Sequence, residues 1–195
     1  MYRDQSNLSV LIVSASGNAE TYLREVLRSG NYMPVCAAKS LAEAGRMHSE
    51  NPFDLVIVNT PLPDGFGTDF AVELCENSSV GVLLFVKSEL FEQVNYQVEQ
   101  AGVLTFVKPG NRQTISQAIC LMAATHNRLA AFERRAVTLE TKMKEIRLVN
   151  RAKWLLIERF QMSEEEAHKY IEKTAMDSCI RRGQVAENII QTYEN

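Results

Sequence analysis

What the chain lacks narrows its class before any motif is read. Its 195 residues contain no run of about 18 apolar side chains, so no membrane-spanning helix is expected. The opening MYRDQSNLSV places an acid and several polar groups ahead of any apolar run. That does not read as a secretory signal, and a cytoplasmic protein is expected. Cysteine is sparse and scattered: Cys36, Cys75, Cys120 and Cys179 form no CxxC pair. Neither a zinc site nor a disulfide framework is suggested, and the thiols read as buried or idle in a reducing compartment. There is no glycine-rich phosphate loop, no metal-ligand spacing and no His/Cys/Asp constellation. Neither an enzyme nor a cofactor nor a bound metal is therefore expected. Glycine and proline are absent from residues 111–182 altogether.

The remaining composition is that of a globular protein, with 46% hydrophobic and 23% charged residues. The length fits one medium domain plus a small one. The net charge of −3 is unevenly spread. Residues 1–132 hold 13 acidic against 9 basic side chains, whereas 134–159 hold 8 basic against 3 acidic. A local basic stretch on an acidic protein hints at a polyanionic partner, although a solvated helix face has the same composition.

The first 120 residues alternate short apolar runs with helical periodicity. SVLIV (9–13) reads as a strand ending in the loop Ser14-Ala15-Ser16-Gly17. Tyr22, Leu23, Val26 and Leu27 follow helical spacing up to Gly30. Val35–Ala38 is a second strand. Ser40 caps a helix over Leu41–His48, with Glu43 three residues on. Leu55–Val58 is four apolar residues in a row, as burial on both faces requires. The turn Thr60-Pro61-Leu62-Pro63-Asp64-Gly65 follows. A short helix over Phe70–Cys75, a strand VGVLLFV (80–86), a helix over Phe91–Ala101 and a strand over Val103–Val107 complete the pattern. Five strands alternating with helices define an α/β class with a parallel sheet. Ligand chemistry in such sheets lies at the carboxyl ends of the strands, here Ser14, Ala15, Asn59, Val86 and Lys108.

VLIV with its following loop, DLVIVNTPLPDG around the third strand and VKP after the fifth resemble the receiver domain of bacterial response regulators. The resemblance covers about Val10–Ile119 and implies a flavodoxin-like fold. Active receivers place acidic magnesium ligands after the first strand and an acceptor aspartate after the third. A hydroxyl follows the fourth strand, and a lysine precedes the proline. Here those positions hold Ser14 and Ala15, Asn59, Val86 (with Ser88 two residues on) and Lys108. An amide is a very poor nucleophile for phosphoryl transfer. A hard magnesium ion needs the anionic oxygens that are missing. The resemblance therefore implies a pseudo-receiver, residues 1–120, controlled without phosphate. Lys108 is expected to donate to Asn59 or to a strand-end carbonyl, with binding of a small anion as the alternative.

From Met122 a heptad alternation begins. Met122, Leu129, Ala136 and Met143 occupy one seam position, and Thr125, Phe132, Leu139 and Ile146 the other. The intervening residues, His126 among them, are largely polar. A coiled-coil connector over 121–146 is expected, with dimerisation through Leu129, Phe132, Leu139, Met143 and Ile146. An amphipathic helix folded back on its own domain is the alternative.

Residues 147–195 read as three helices. The first is amphipathic and runs to Phe160. Ser163 and Glu166 form a capping box, so the second starts at Glu164 and turns Ala167, Tyr170, Ile171, Thr174 and Ala175 inward. Asp177 or Ser178 caps the third, whose inner face is Ile180, Val185, Ala186, Ile189 and Ile190. Trp154, at helical spacing from Ile157, is assigned to the core in preference to a base-stacking role.

RAKWLLIERF, MSEEEAHKYIEKTAMDSCIRR and VAENII together resemble the ANTAR domain of transcription antiterminators. That resemblance implies a dimeric protein that binds paired hairpins in a leader transcript and allows transcription to continue. Lys153, in the Ala-Lys motif, is the leading RNA-contact candidate, followed by Arg147, Arg151, Thr174, Arg181 and Arg182. Exposed loop bases offer edges a protein can read, and the basic side chains suit the phosphates. The alternative is a scaffold, or a partner-sequestered regulator, that does not read RNA. Without a phosphate switch, control falls to a partner protein, a ligand at the pseudo-receiver, or concentration.

Overall fold

In a computed structural model of the chain, residues 7–194 are described. Residues 1–6, on which the reading of no secretory signal rests, and Asn195 lie outside the described residues. The chain divides between Ala131 and Phe132 into two compact units.

The first unit is a five-stranded, all-parallel sheet in the order β2-β1-β3-β4-β5. Its strands are β1 (Leu8–Val13), β2 (Tyr32–Ala38), β3 (Leu55–Asn59), β4 (Gly81–Lys87) and β5 (Leu104–Lys108). The helices between them are α1 (Gly17–Leu27), α2 (Leu41–Glu50), α3 (Thr68–Asn77) and α4 (Phe91–Val98); α5 (Arg112–Phe160) follows β5. The two-residue period of a strand explains why both faces fill. Leu11, Val13, Val56, Val58, Leu84 and Val86 pack on the side of α2, α3 and α4. Val10, Ile12, Leu55, Ile57, Leu83 and Phe85 pack against Leu23, Val26 and Leu27 of α1 and Ile115 and Ile119 of α5. Burying each such side chain contributes about 1.5–3 kcal/mol.

Ser40 and Ser163 cap α2 and α6 (Glu164–Asp177) as the capping motifs predict. At Ser163 the box is complete: Glu166 N–H donates to Ser163 Oγ at 3.2 Å, and Ser163 N–H donates to Glu166 Oε2 at 2.8 Å. At Ser40 the second arm lands one residue early, because Glu43 accepts from the Lys39 N–H. Asp64 caps α2 from outside, accepting the N–H groups of Leu41 and Ala42 at 2.9 Å each. Those two donors hold its carboxyl below the usual carboxylate range.

Several expectations are corrected. β2 begins at Tyr32, three residues before Val35. Met122 is core, not seam: it lies under the sheet, and a side chain at Gly81 would collide with it at 2.7 Å. His126 is not a solvated heptad residue but is buried. Its Nδ1 lies 2.7 Å from the Ser79 carbonyl, which can only accept, so that nitrogen carries the proton. Its Nε2 faces Asp54 Oδ1 at 3.4 Å, while Asp54 Oδ2 accepts from both N–H and Oγ of Ser9 at 2.8 Å. Asp54 thus links the start of β1 to the approach to β3, and the Ser79 carbonyl holds His126 of α5.

The second unit comprises the C-terminal part of α5, α6 and α7 (Arg182–Tyr193). Ala152, Leu156, Ala167, Ile171, Ala175, Val185, Ala186 and Ile189 form its core. Asp177 and Ser178 end α6 instead of capping α7, whose N-cap is Arg181. Ile180 therefore lies in the turn, and it is exposed. Tyr170 and Trp154 also turn outward; Trp154 is 69% exposed. Ala152 and Leu156, four residues apart, mark the inner face of α5, and Trp154 lies between them on the other side of the helix.

Among the described residues, no helix is long and apolar enough to cross a membrane. No cluster of three His, Cys, Asp or Glu side chains that could hold a metal occurs among them. The four thiols are unpaired with one another, and burial pushes that of Cys75 up to about 11.

Candidate functional site

The order of the strands puts β1 and β3 side by side, with connections leaving to opposite sides, and the crevice of such a sheet opens at their carboxyl ends. Three of the five predicted residues meet there. Lys108, last in β5, donates from Nζ to Asn59 Oδ1 at 2.8 Å and to the Thr60 carbonyl. Asn59 Nδ2 donates to Ser14 Oγ at 3.0 Å, and Ser14 Oγ lies 3.2 Å from the Ser16 carbonyl. The predicted lysine–asparagine contact is present. Ala15 contributes no polar group and is exposed. Val86 points into the core with the other apolar residues of β4. Ser88 opens a separate 3-10 turn, Ser88–Leu90.

Electrostatically the site is the reverse of an acidic pocket. Its only ionised member among the described residues is Lys108, and its partners are neutral. Burial, and the ammonium of Lys87 nearby, lower the pKa of Lys108. Thr60 was not anticipated. Its hydroxyl donates to the Phe85 carbonyl at 2.8 Å and its carbonyl receives Lys108, so it fixes the turn that presents Asn59. The apolar stretch on either side gave no hint of this, because Thr60 follows a strand and precedes a proline. Beside Asn59 and Lys108 lies a cleft of about 190 Å³, walled by Tyr22, Leu23, Phe85, Pro109 and Ile115.

In the second unit the candidate basic residues behave differently from one another. Lys153 is held by Glu164 at 2.9 Å, with its side chain only 15% exposed. Glu164 is held below the carboxylate range by that contact. Arg151 donates to Glu194 through Nε at 2.7 Å. Arg182 reaches Glu172 at 3.3 Å and approaches Glu145 at 4.0 Å. Arg147 and Arg181 are exposed, and Thr174 is half-buried. A surface that the periodicity did not single out is a shallow depression of about 420 Å³ lined by Phe160, Met162, Lys169, Tyr170 and Lys173, among others. Phe160 meets Tyr193 edge-on at 5.1 Å, and Gln161, with φ of 56°, turns the chain sharply after it. On α5 the seam residues Leu129, Phe132, Leu139, Met143 and Ile146 are 46–61% exposed.

With this geometry in view, the class is defined: a domain of receiver fold followed by a small helical domain. Residues 138–190 match the family model of the ANTAR domain. The first unit is similar to the receiver domain of a response regulator from Clostridium thermocellum, with a TM-score of 0.55 and 21% identity over 63% of this chain and 98% of that one. It is also similar to the HemR receiver domain from Leptospira biflexa, with a TM-score of 0.53 and 24% identity over 60% and 94% of the two chains. Across 187 residues the chain is 29% identical to the transcriptional regulatory protein PdtaR of Mycobacterium tuberculosis, covering 94% of this chain and 89% of the relative. The chain carries an ANTAR domain behind an N-terminal receiver-like domain.

Proposed function

We propose that the protein is a cytoplasmic transcription regulator that binds paired hairpins in leader RNA and promotes antitermination, without phosphorylation of its receiver-like domain. The observation that carries this reading is the ANTAR match over residues 138–190. The relative that shares nearly the whole length is itself described as a transcriptional regulatory protein, which supports the regulatory part.

In this reading residues 1–120 are the pseudo-receiver, 121–146 the connector and 147–195 the RNA-binding part. Two copies associate through Leu129, Phe132, Leu139, Met143 and Ile146. Arg147 and Arg181, exposed on the helical unit, supply phosphate contacts, with Lys153, Arg151, Arg182 and Thr174 beside them. Control acts at the pseudo-receiver through a partner protein or ligand, because the amide of Asn59 offers no nucleophile and Ser14 and Ala15 offer no anionic metal ligand.

One observation favours a second reading, a scaffold that does not read RNA. Lys153, Arg151 and Arg182 are each engaged by a carboxylate of the same chain. Fluorescence anisotropy with a tandem-hairpin leader RNA, the same RNA with scrambled loops, and duplex DNA separates the two. RNA recognition requires loop-dependent binding that Arg147→Ala and Lys153→Ala weaken. Equal, weak, salt-sensitive binding to all three probes would instead establish only a basic surface.

A further inference from the structure

We propose that the cleft beside Lys108 binds a small monocarboxylate with an apolar or aromatic body. This deepens the reading of a receiver controlled without phosphate, since it places a ligand where the phosphoryl group would sit in an active domain. Three features of the cleft carry it: charge, wall character and size.

The first is charge. The Lys108 ammonium sits at the carboxyl end of the sheet with only Asn59 Oδ1, at 2.8 Å, and the Thr60 carbonyl as acceptors. Among the described residues, no carboxylate lies within ion-pair distance of it. Ser14 and Asn59 are committed to each other at 3.0 Å and carry no charge. An ammonium has three donors, and a partly desolvated cation gains most from an anionic acceptor. Burial and the ammonium of Lys87 both disfavour its charged form, which an anionic acceptor would favour.

The second is the character of the walls. Tyr22 and Leu23 come from α1, Phe85 from β4, Pro109 from the loop after β5 and Ile115 from α5. These surfaces are mostly apolar and suit a hydrocarbon or a ring better than the several charged oxygens of a free phosphate. Pockets for small molecules combine an apolar lining with a few placed polar groups, which is the arrangement here. The third is size. A volume of about 190 Å³ accommodates one ring with a carboxylate, not a nucleotide.

The test uses the full-length protein with benzoate, its neutral isostere benzamide, and inorganic phosphate as probes. Binding is followed by the rise in melting temperature and by amide NMR shifts. A ligand of about nine non-hydrogen atoms should half-saturate on the order of 1 mM. Benzoate is expected to raise the melting temperature and to move the amides of Leu23, Lys108, Gly110 and Ile115. Benzamide and phosphate should bind at least about tenfold more weakly, a tenfold loss corresponding to one removed charge contact. Lys108→Met should weaken benzoate by a similar factor. If that variant does not fold, Ala19→Leu should do the same, because Ala19 of α1 also lines the cleft and a leucine there would fill it. Equal binding of benzoate and benzamide, undiminished binding by Lys108→Met or Ala19→Leu, phosphate binding as tight as benzoate, or no shift with benzoate would each overturn the proposal. Phosphorylation is scored separately by intact mass, so a failure here leaves that reading where it stands.

Discussion

Lys108 and Asn59, 49 residues apart in the chain, are joined by a 2.8 Å hydrogen bond from Nζ to Oδ1 at the carboxyl edge of the sheet. The bond connects an ammonium to a neutral amide. In a functioning phosphoacceptor the same lysine would face a carboxylate, then a phosphoryl group, and both would be anionic.

From this follows a prediction about covalent modification. Acetyl phosphate with magnesium should leave the intact mass of the protein unchanged. Asn59→Asp should stay unmodified too, because Ser14 and Ala15 still supply no carboxylate for the metal. Intact-mass spectrometry decides it. A stoichiometric phosphate adduct on the wild type that disappears in Asn59→Ala would remove the pseudo-receiver reading.

How much of this was legible beforehand depends on range. β3 was plain because Leu55–Val58 is uniformly apolar and a doubly covered strand has no other composition. The pairing of Lys108 with Asn59 was legible because strand ends converge in a parallel sheet. What failed was the assignment of faces on helices. Met122 fits a heptad as well as it fits a core under Gly81, and no local pattern separates the two. His126 looked solvated because its partners, Ser79 and Asp54, lie 47 and 72 residues away. Spacing from Ile157 puts Trp154 inward, whereas the buried face of α5 is the one that carries Ala152 and Leu156, with Ile157 only at its edge. The carboxylate on Lys153 was invisible for the same reason: Glu164 lies beyond a chain reversal at Gln161.

Asp64 yields a pH prediction. Its carboxylate accepts the first N–H groups of α2, and the folded pKa is lowered from the ordinary value of 3.8. A depressed carboxyl pKa means the folded state prefers the ionised form. Its stabilisation is therefore present above the unfolded pKa and is lost as pH falls through the folded one. The difference in melting temperature between wild type and Asp64→Asn should be constant from pH 7 to about pH 5 and shrink below about pH 4. A difference that persists undiminished at pH 2 would show that Asp64 acts through packing and not through charge.

The exposed seam on α5 gives a prediction about assembly. Leu139 and Ile146, 61% and 58% exposed, are on the same stripe one heptad apart. If two copies pair there, Leu139→Asp together with Ile146→Asp buries two charges against apolar partners. Sedimentation equilibrium should then give the monomer mass. A mass equal to that of the wild type would place the self-association elsewhere or remove it.

The Glu164–Lys153 contact separates a latch from a recognition residue. At 2.9 Å it neutralises the lysine of the Ala-Lys motif and ties α5 to the first turn of α6, where Glu164 is also favoured by the helix dipole. Glu164→Gln keeps the size of the side chain, removes the anion and leaves Lys153 as a free cation. If Lys153 contacts RNA phosphate, affinity for the hairpin RNA should rise a fewfold. The slope of log affinity against log salt should steepen by about one, the contribution of one additional phosphate contact. If Lys153 serves only to hold the helices together, affinity and slope should stay at the wild-type values while the melting temperature falls slightly, because the ion pair to Glu164 is lost. Anisotropy titrations at several salt concentrations, with a thermal melt of the same preparation, read both quantities. A fall in RNA affinity in Glu164→Gln would exclude the reading in which the carboxylate competes with phosphate for Lys153.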